Sequence, residues 1–435
     1  MRTKKALILL CMLCSTLFTV AQTNVSGGIY SNTTWLKANN PYVVIGNVTV
    51  FPGVNLTLQP GVVIKFNNGT KLDIRGSLTS KGTPIDTIVF TSSSASPTMS
   101  IWDGVLISND LGGSAEFKYS AIEYADKAIT NVCCWNGGPL NIKRSVFRNN
   151  QIAVGGYAGW VVNIDSSMFT NNKYTIIQAD KRIKNSTFKN NYVGIGDETG
   201  VERISVFNSL FCNNTKAVDF IQTDSLMNCT LVNNKVAYKS FINASGSNVI
   251  ENNAITDNDT GIVSGSNLES IVNNTICNTY KNVVYLFNAN KTMINNCWCT
   301  TFTSTIANKI HDGYDNVNYG LINFIPLTSC DSTAKPVVVN CTDIITGMSN
   351  YPTPPKPISL KMYPNPFNDY FVVTSNTTEN DLVIKIYNML GQEVKFIEGF
   401  NGRAVIDGKE MSEGVYFMQL IQKNIVIDQL KLIKN

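Results

Sequence analysis

Residues 183–191 read IKNSTFKNN, and the same nine-residue pattern stands on either side: IKRSVFRNN at 142–150, IDSSMFTNN at 164–172, VFNSLFCNN at 206–214. LMNCTLVNN at 226–234, IENNAITDN at 250–258, IVNNTICNT at 271–279 and MINNCWCTT at 293–301 continue it. The sixth position is Phe147, Phe169, Phe188, Phe211, Leu231, Ile255, Ile276 and Trp298, at intervals of 19 to 24 residues. The first position, from Ile142 to Met293, is apolar in every copy. A period in the low twenties with no helical pattern inside it predicts a solenoid of short strands. Each repeat is too short for a βαβ unit but holds two or three strands joined by tight turns, so equivalent strands of successive repeats are expected to pair in parallel.

Outward from that pattern, two polar files punctuate each repeat. Arg144, Ser166, Asn185, Asn208, Asn228, Asn252, Asn273 and Asn295 occupy its third position. Asn tolerates the left-handed backbone, and its amide is expected there to bond the amide of the next coil. A second file runs Asn150, Asn172, Asn191, Asn214, Asn234 and Asn258. Because a buried amide without a partner costs about 1–3 kcal/mol, the files must be continuous ladders or lie in water. A further apolar strand follows, at Ile152–Val154, Tyr174–Ile177, Val193–Ile195, Ala217–Phe220, Val236–Tyr238, Gly261–Val263 and Val283–Leu286.

Short strands broken by Pro52-Gly53, Pro60-Gly61 and Asn68-Gly69 precede the repeats, with NLTLQPGVVIKF at 55–66, Ile88–Ser92 and Trp102-Asp103-Gly104-Val105 among them. With the closing stretch at 295–300, Ile310-His311-Asp312 and Gly320–Pro326, residues 42–327 resemble right-handed parallel β-helix proteins of the pectate-lyase-like type. Where that family has an aromatic and a Gly near the end, this chain has Cys297 and Cys299. The resemblance implies a fold and no particular activity. Residues 24–41 and 302–327 are expected to cover the two exposed ends.

The 435 residues allow two domains, and 43% hydrophobic residues with 15% charged describe a packed body. A net charge of +4 without a basic stripe argues against nucleic acid as a partner. Arg2, Lys4 and Lys5 before the apolar run Ala6–Val20 and Ala21 predict a secretory signal peptide at 1–21, leaving no later segment long and apolar enough to span a membrane. Nine cysteines follow it, so a monomer keeps one thiol unpaired. Cys277 and Cys299 hold equivalent places in successive repeats within disulfide reach, and Cys330 with Cys341 could clip the exit of the array. Cys212 and Cys229 read as small buried hydrophobes. With His311 the only histidine, a structural zinc site is not expected.

After a Pro-rich linker at 331–357, seven short alternating strands at 358–435 predict a small antiparallel β-sandwich. Tyr363-Pro364-Asn365-Pro366-Phe367, then Gly391 within 386–394, then Gly414 and Tyr416 within 413–417, and Lys431-Leu432-Ile433-Lys434 come in that order. They resemble the type A sorting domain of the type IX (Por) secretion system of Bacteroidota. That resemblance implies the type IX machinery as a partner and export across the outer membrane of a Gram-negative bacterium. The whole chain is thus expected to be all-β, a right-handed single-stranded parallel β-helix at 22–330 followed by the sandwich.

The chemistry is less legible. Asp180, Asp197, Glu198, Asp219 and Lys239 fall at similar places in consecutive coils; stacked carboxylates there would suit Ca²⁺ as a cofactor, and Asp219 with Lys239 is the catalytic candidate. Solvated turns explain the same residues, as they do Asp257-Asn258-Asp259. Tyr157 and Trp160, with Trp135, could stack on sugar rings or pack on the cylinder wall. Arg182-Ile183-Lys184 matches a polygalacturonase element, but Ile183 is the repeat's own apolar position, and that family's paired aspartates and Gly-His-Gly are missing. The expected role is non-catalytic binding of extracellular polysaccharide, adhesion or structure; the alternative is a lyase or hydrolase of acidic polysaccharides.

Overall fold

The computed structural model describes residues 22–132, 139–157, 160–177, 180–196, 204–221, 225–240, 248–330, 341, 360–375, 382–389, 391–422 and 425–435. The expected signal peptide, Trp135, Asp197, Glu198 and the expected linker apart from Cys341 lie outside them. The chain divides into two units, 1–349 and 350–435.

The first unit is a parallel β-solenoid of about eleven turns. A typical coil has three strands, as in Val161–Asp165, Met168–Thr170 and Tyr174–Ile176, which lie on a first, second and third face. Each face is a ladder of such strands from successive coils. The register is kept throughout the repeats: Ile142, Ile164, Ile183, Val206, Leu226, Ile250 and Ile271 lie opposite one another on the first face. On the second, Phe147 pairs with Phe169, then Phe188, Phe211, Leu231, Ile255 and Ile276 follow. The four Phe rings stack with centroids 5.0, 4.9 and 4.7 Å apart. Coil spacing in a parallel sheet is about 4.8 Å, so identical rings one coil apart meet face to face without adjustment.

The corners explain the polar files. Between the first and second faces, all eight residues from Arg144 to Asn295 have φ between 47° and 58°. Between the second and third, Asn149, Asn171, Asn190, Asn213, Asn233 and Asp257 have φ of 55° to 58°. A single left-handed residue turns the chain sharply and directs its own side chain outward; the next residue then points in. The ladders therefore belong to the residues after the left-handed ones, which corrects the expectation that the first-corner Asn amides themselves bond from coil to coil.

At the second corner the inward residue is the predicted Asn file. Asn172 donates its backbone N–H and its Nδ2 to Asn191 Oδ1, at 2.9 and 3.2 Å, and Nδ2 also reaches Phe147 O at 3.0 Å. The same three bonds recur at Asn191, Asn214, Asn234 and Asn258. These amides are at most 2% exposed. At the first corner the file is Ser145, Ser167, Ser186, Ser209, Cys229, Asn253, Asn274 and Asn296. Each Ser Oγ accepts the N–H one coil back and donates to the carbonyl two residues before it, as Ser167 does with Ser145 N–H (3.1 Å) and Asp165 O (3.0 Å). From Asn253 onward the amide geometry of the other corner takes over. Cys229, the one free cysteine among the described residues, sits in a serine place, its Sγ 3.2 Å from Met227 O. Burial pushes its thiol up to about 12.

One hydrophobic cluster runs from Trp35 to Ile322. At the N-terminal end the expected cover is instead a coil, for Thr23–Ile29 and Thr33–Trp35 pair in parallel with Tyr42–Val50 and Asn55–Leu58. Trp35, 5% exposed, stacks on Tyr42 and extends the core into it. At the other end the helix Thr303–Asn308 drives Ile306 fully into the core. No helix among the described residues is long and apolar enough to cross a membrane.

Cys277 bonds Cys299 in the next coil. Cys330 bonds Cys297, and Cys341 bonds Cys212, so the 330–341 pairing is not the one adopted and Cys212 is not a bare hydrophobe. The outward side of the second face carries Leu210 and Val232, which pack on Cys341, while Lys189 Nζ holds its carbonyl at 2.7 Å. Cys341, within the expected linker, is thereby fixed to the solenoid.

The second unit holds two antiparallel sheets. Leu360–Tyr363, Tyr370–Ser375 and Arg403–Asp407 form one; Glu393–Ile397, Leu382–Asn388, Gly414–Gln422 and Ile425–Lys434 form the other, in that spatial order. Phe367, Phe371, Ile384, Ile386, Met418 and Leu432 are core residues shared by the two.

Replacing Asn191 by Leu keeps the branched shape but takes the side-chain partner from the Asn172 N–H and the Phe169 carbonyl and one of two acceptors from Asn172 Nδ2. It should lower unfolding stability by about 3 kcal/mol or more, at about 1–3 kcal/mol per orphaned group; Asn190→Gly next to it should change stability by under about 1 kcal/mol. Denaturant midpoints check both, and equal effects would contradict the division of labour between the two residues. Cys229→Ser should be neutral or stabilising, and Cys229 in the folded protein should resist iodoacetamide at pH 8 and react on unfolding, as read by peptide mass mapping.

Candidate functional site

Outward-pointing corner residues line a groove along the solenoid axis. At the corner between the second and third faces, Asn213, Thr215, Asn233, Lys235, Asp257 and Asp259 border a hollow of about 450 Å³. Asp257 also walls a neighbouring hollow of about 490 Å³, whose floor includes Asn278, Asn282 and Trp298 and whose far side is Thr305 and Lys309 of the closing segment. Lys309 Nζ donates to Asn278 O at 2.6 Å, which fixes that wall to the ladder. Two lysines and two aspartates leave the groove near neutrality, with amides and hydroxyls as its other polar groups. These groups suit hydrogen bonding to sugar hydroxyls; the volumes fall in the range of small-ligand sites.

Sequence reading missed this groove because Asp257 and Asp259 looked like an isolated turn. The available signal was their place: each immediately flanks a ladder Asn, where the corner directs side chains outward.

Of the residues singled out in advance, Asp219 and Lys239 are brought together, but Asp180 does not join them. Asp180 begins a first-face strand opposite Val161, whereas Asp219 lies on a third-face strand opposite Lys239, so they do not stack. Asp219 is fully buried, with Lys216 Nζ 2.7 Å from Oδ2 and Lys239 Nζ 3.9 Å from Oδ1. Gly196 of the preceding coil lies so close that a Cβ there would stand 1.8 Å from Asp219 O. That packing leaves the carboxylate charge compensated and shielded from a polysaccharide. Trp160 is 2% exposed and belongs to the core, so it presents no ring face outward; Tyr157 is 56% exposed.

Among the other acid–base groupings of the described residues, two bear on the chemistry. On the outer first face, Asp165 lies 3.8 Å from Lys143 and 3.7 Å from Lys184 in adjacent coils. Burial acts to raise this carboxyl, but hydrogen bonds from Asn185 and Ser166 and the two lysines prevail and hold it below the ordinary aspartate range. Lys143 and Lys184 therefore frame an anion that is a weak base near neutral pH. Inside the rod, Lys291 and Glu269 pair at 3.3 Å with both side chains sealed from solvent, and desolvation lowers the lysine despite the attraction of Glu269.

In the second unit the predicted motifs converge. Asn365 donates Nδ2 to Lys431 O and accepts Ile433 N–H at Oδ1, both at 2.9 Å. Phe367, 1% exposed, continues that zipper through Ile433 O and Asn435 N–H. The Tyr363-Pro364-Asn365-Pro366 segment thus clamps the terminal strand that carries Lys431 and Lys434. Gly391, at φ 77°, closes the turn from Asn388 to Gln392. Gly414 opens the strand in which Tyr416 is buried, its hydroxyl donating to Ser412 O at 2.7 Å.

No curated protein and no solved structure matches the chain. Residues 361–435 match the family described as secretion system C-terminal sorting domain. The clamped sandwich at the C-terminus is therefore a type IX sorting domain, and it marks this β-solenoid protein for export across the outer membrane to the cell surface or extracellular space.

Proposed function

We propose that the solenoid is a non-catalytic glycan-binding rod, delivered outside the cell to hold extracellular polysaccharide. The observation that carries this reading is the axial groove of outward amides, hydroxyls and balanced charges shared through Asp257. A polymer lying along the axis meets similar groups on several coils, and many weak contacts add to useful avidity. The sealing of Asp219 and the low basicity of Asp165 favour binding over proton abstraction from a uronate. Right-handed winding of the pectate-lyase type, a leader at 1–21 that opens the route through the inner membrane, and a source among Bacteroidota belong to the same proposal. Ca²⁺ is not part of this proposal; of the carboxylates expected to hold it, Asp180 and Asp219 lie on different faces.

Affinity electrophoresis of the purified protein through gels containing neutral or uronate polysaccharides tests the reading. Retardation is expected in at least one neutral glycan, and the combined change Lys235→Ala, Asp257→Ala and Asp259→Ala should weaken it at least about fivefold, or about 1 kcal/mol, with an unchanged circular dichroism spectrum. Migration unaffected by every glycan would refute binding. Unsaturated products accumulating from a uronate, and lost in Asp219→Asn or Lys239→Ala, would establish the lyase alternative.

A further inference from the structure

Cys297 and Cys299 flank Trp298, which is 3% exposed in the last full coil; Cys299 is exposed, whereas Cys297 is fully buried. Cys277 stands one coil back, its Cα 5.8 Å from that of Cys299. The three Sγ atoms lie within 4.8 Å of one another. Cys330 brings a fourth sulfur, bonded to Cys297. In a tetrahedral zinc thiolate with Zn–S near 2.3 Å, sulfurs stand about 3.8 Å apart, a spacing that small rotations of these side chains would reach. A path exists as well: Cys277 and Cys299 line the hollow of about 490 Å³, open beside Thr279 and Thr300, and Cys330 is exposed.

We propose that these four cysteines form a two-state site. Oxidised, they are two disulfides that latch the last coils; reduced, they bind one soft divalent cation of the zinc class. Each disulfide takes two electrons and two protons from a dithiol donor, which closes to its own cyclic disulfide. The cation then displaces the thiol protons to solvent, and sulfur ligands select zinc-like over hard cations. The cation would restore, between the same coils, the cross-link that reduction removes. Cys212–Cys341 takes no part, because Cys212 lies three coils away, in register with Val232, then Thr256, then Cys277. This proposal is independent of glycan binding.

The test uses the whole protein, reduced with dithiothreitol, desalted under anaerobic conditions and titrated with Co²⁺. One equivalent should give the intense visible bands of tetrahedral cobalt thiolate, displaced by Zn²⁺, while unreduced protein gives none. Cys297→Ser and, at an exposed position, Cys299→Ser should each weaken uptake at least tenfold; the pair Cys212→Ser and Cys341→Ser should leave it unchanged. The proposal is overturned if reduced wild type gives only octahedral cobalt, or if both serine variants bind as wild type does. It is equally overturned if the reduced chain loses its β-sheet circular dichroism and cobalt restores neither fold nor bands.

Discussion

Buried amide ladders at the corners are the constraint on which the rod depends. A three-faced solenoid must turn its chain three times in each coil, and at the two tight corners the turn takes backbone N–H and carbonyl groups out of their sheets. The inward Asn or Ser supplies what the turn withdraws: Oδ1 or Oγ for the N–H of the coil behind, Nδ2 for a carbonyl of the second or first face. An inward apolar residue would leave those groups dry and unpaired, at about 1–3 kcal/mol each. Register follows, because an Asn displaced by one residue would point into solvent and break the file on both sides.

That arrangement also separates scaffold from surface. At each corner one residue turns inward to the ladder and its left-handed predecessor turns outward, so the outer residue is free to vary without disturbing the core. Asn213, Asn233 and Asp257 share one backbone conformation and differ only in what they offer to solvent. The groove is thus a by-product of the fold's closure, available to be tuned coil by coil. Where a carboxylate lies inside the packing, as at Asp219 and Glu269, lysines compensate it. Outside, the Lys143–Asp165–Lys184 file keeps an anion ionised between cations.

Covalent and terminal features guard the ends. The Cys277–Cys299 and Cys297–Cys330 bonds and the helix that inserts Ile306 all act on the final coils, where a parallel sheet would otherwise expose its edge. In the sorting domain the first and last motifs meet at Asn365 and Phe367, so its recognition features depend on the terminal strand being in place. Export and cargo are thereby handled by separately packed units, each with its own core.

The repeat, the stacking of Phe147, Phe169, Phe188 and Phe211, the second-corner Asn file, the seven strands of the tail and its export role were legible in the sequence. Each is a local or strictly periodic property, and the spacing of like residues determines which of them meet. Tertiary structure alone decided that Asp180 and Asp219 belong to different faces, because loop lengths shift from coil to coil and the phase cannot be counted through them. It alone buried Trp160, sent Cys330 to Cys297 and Cys341 to Cys212, and joined Asp257 to the closing segment in one groove. Those outcomes depend on where the chain returns after leaving the repeat, and a return path is set by packing against surfaces distant in sequence.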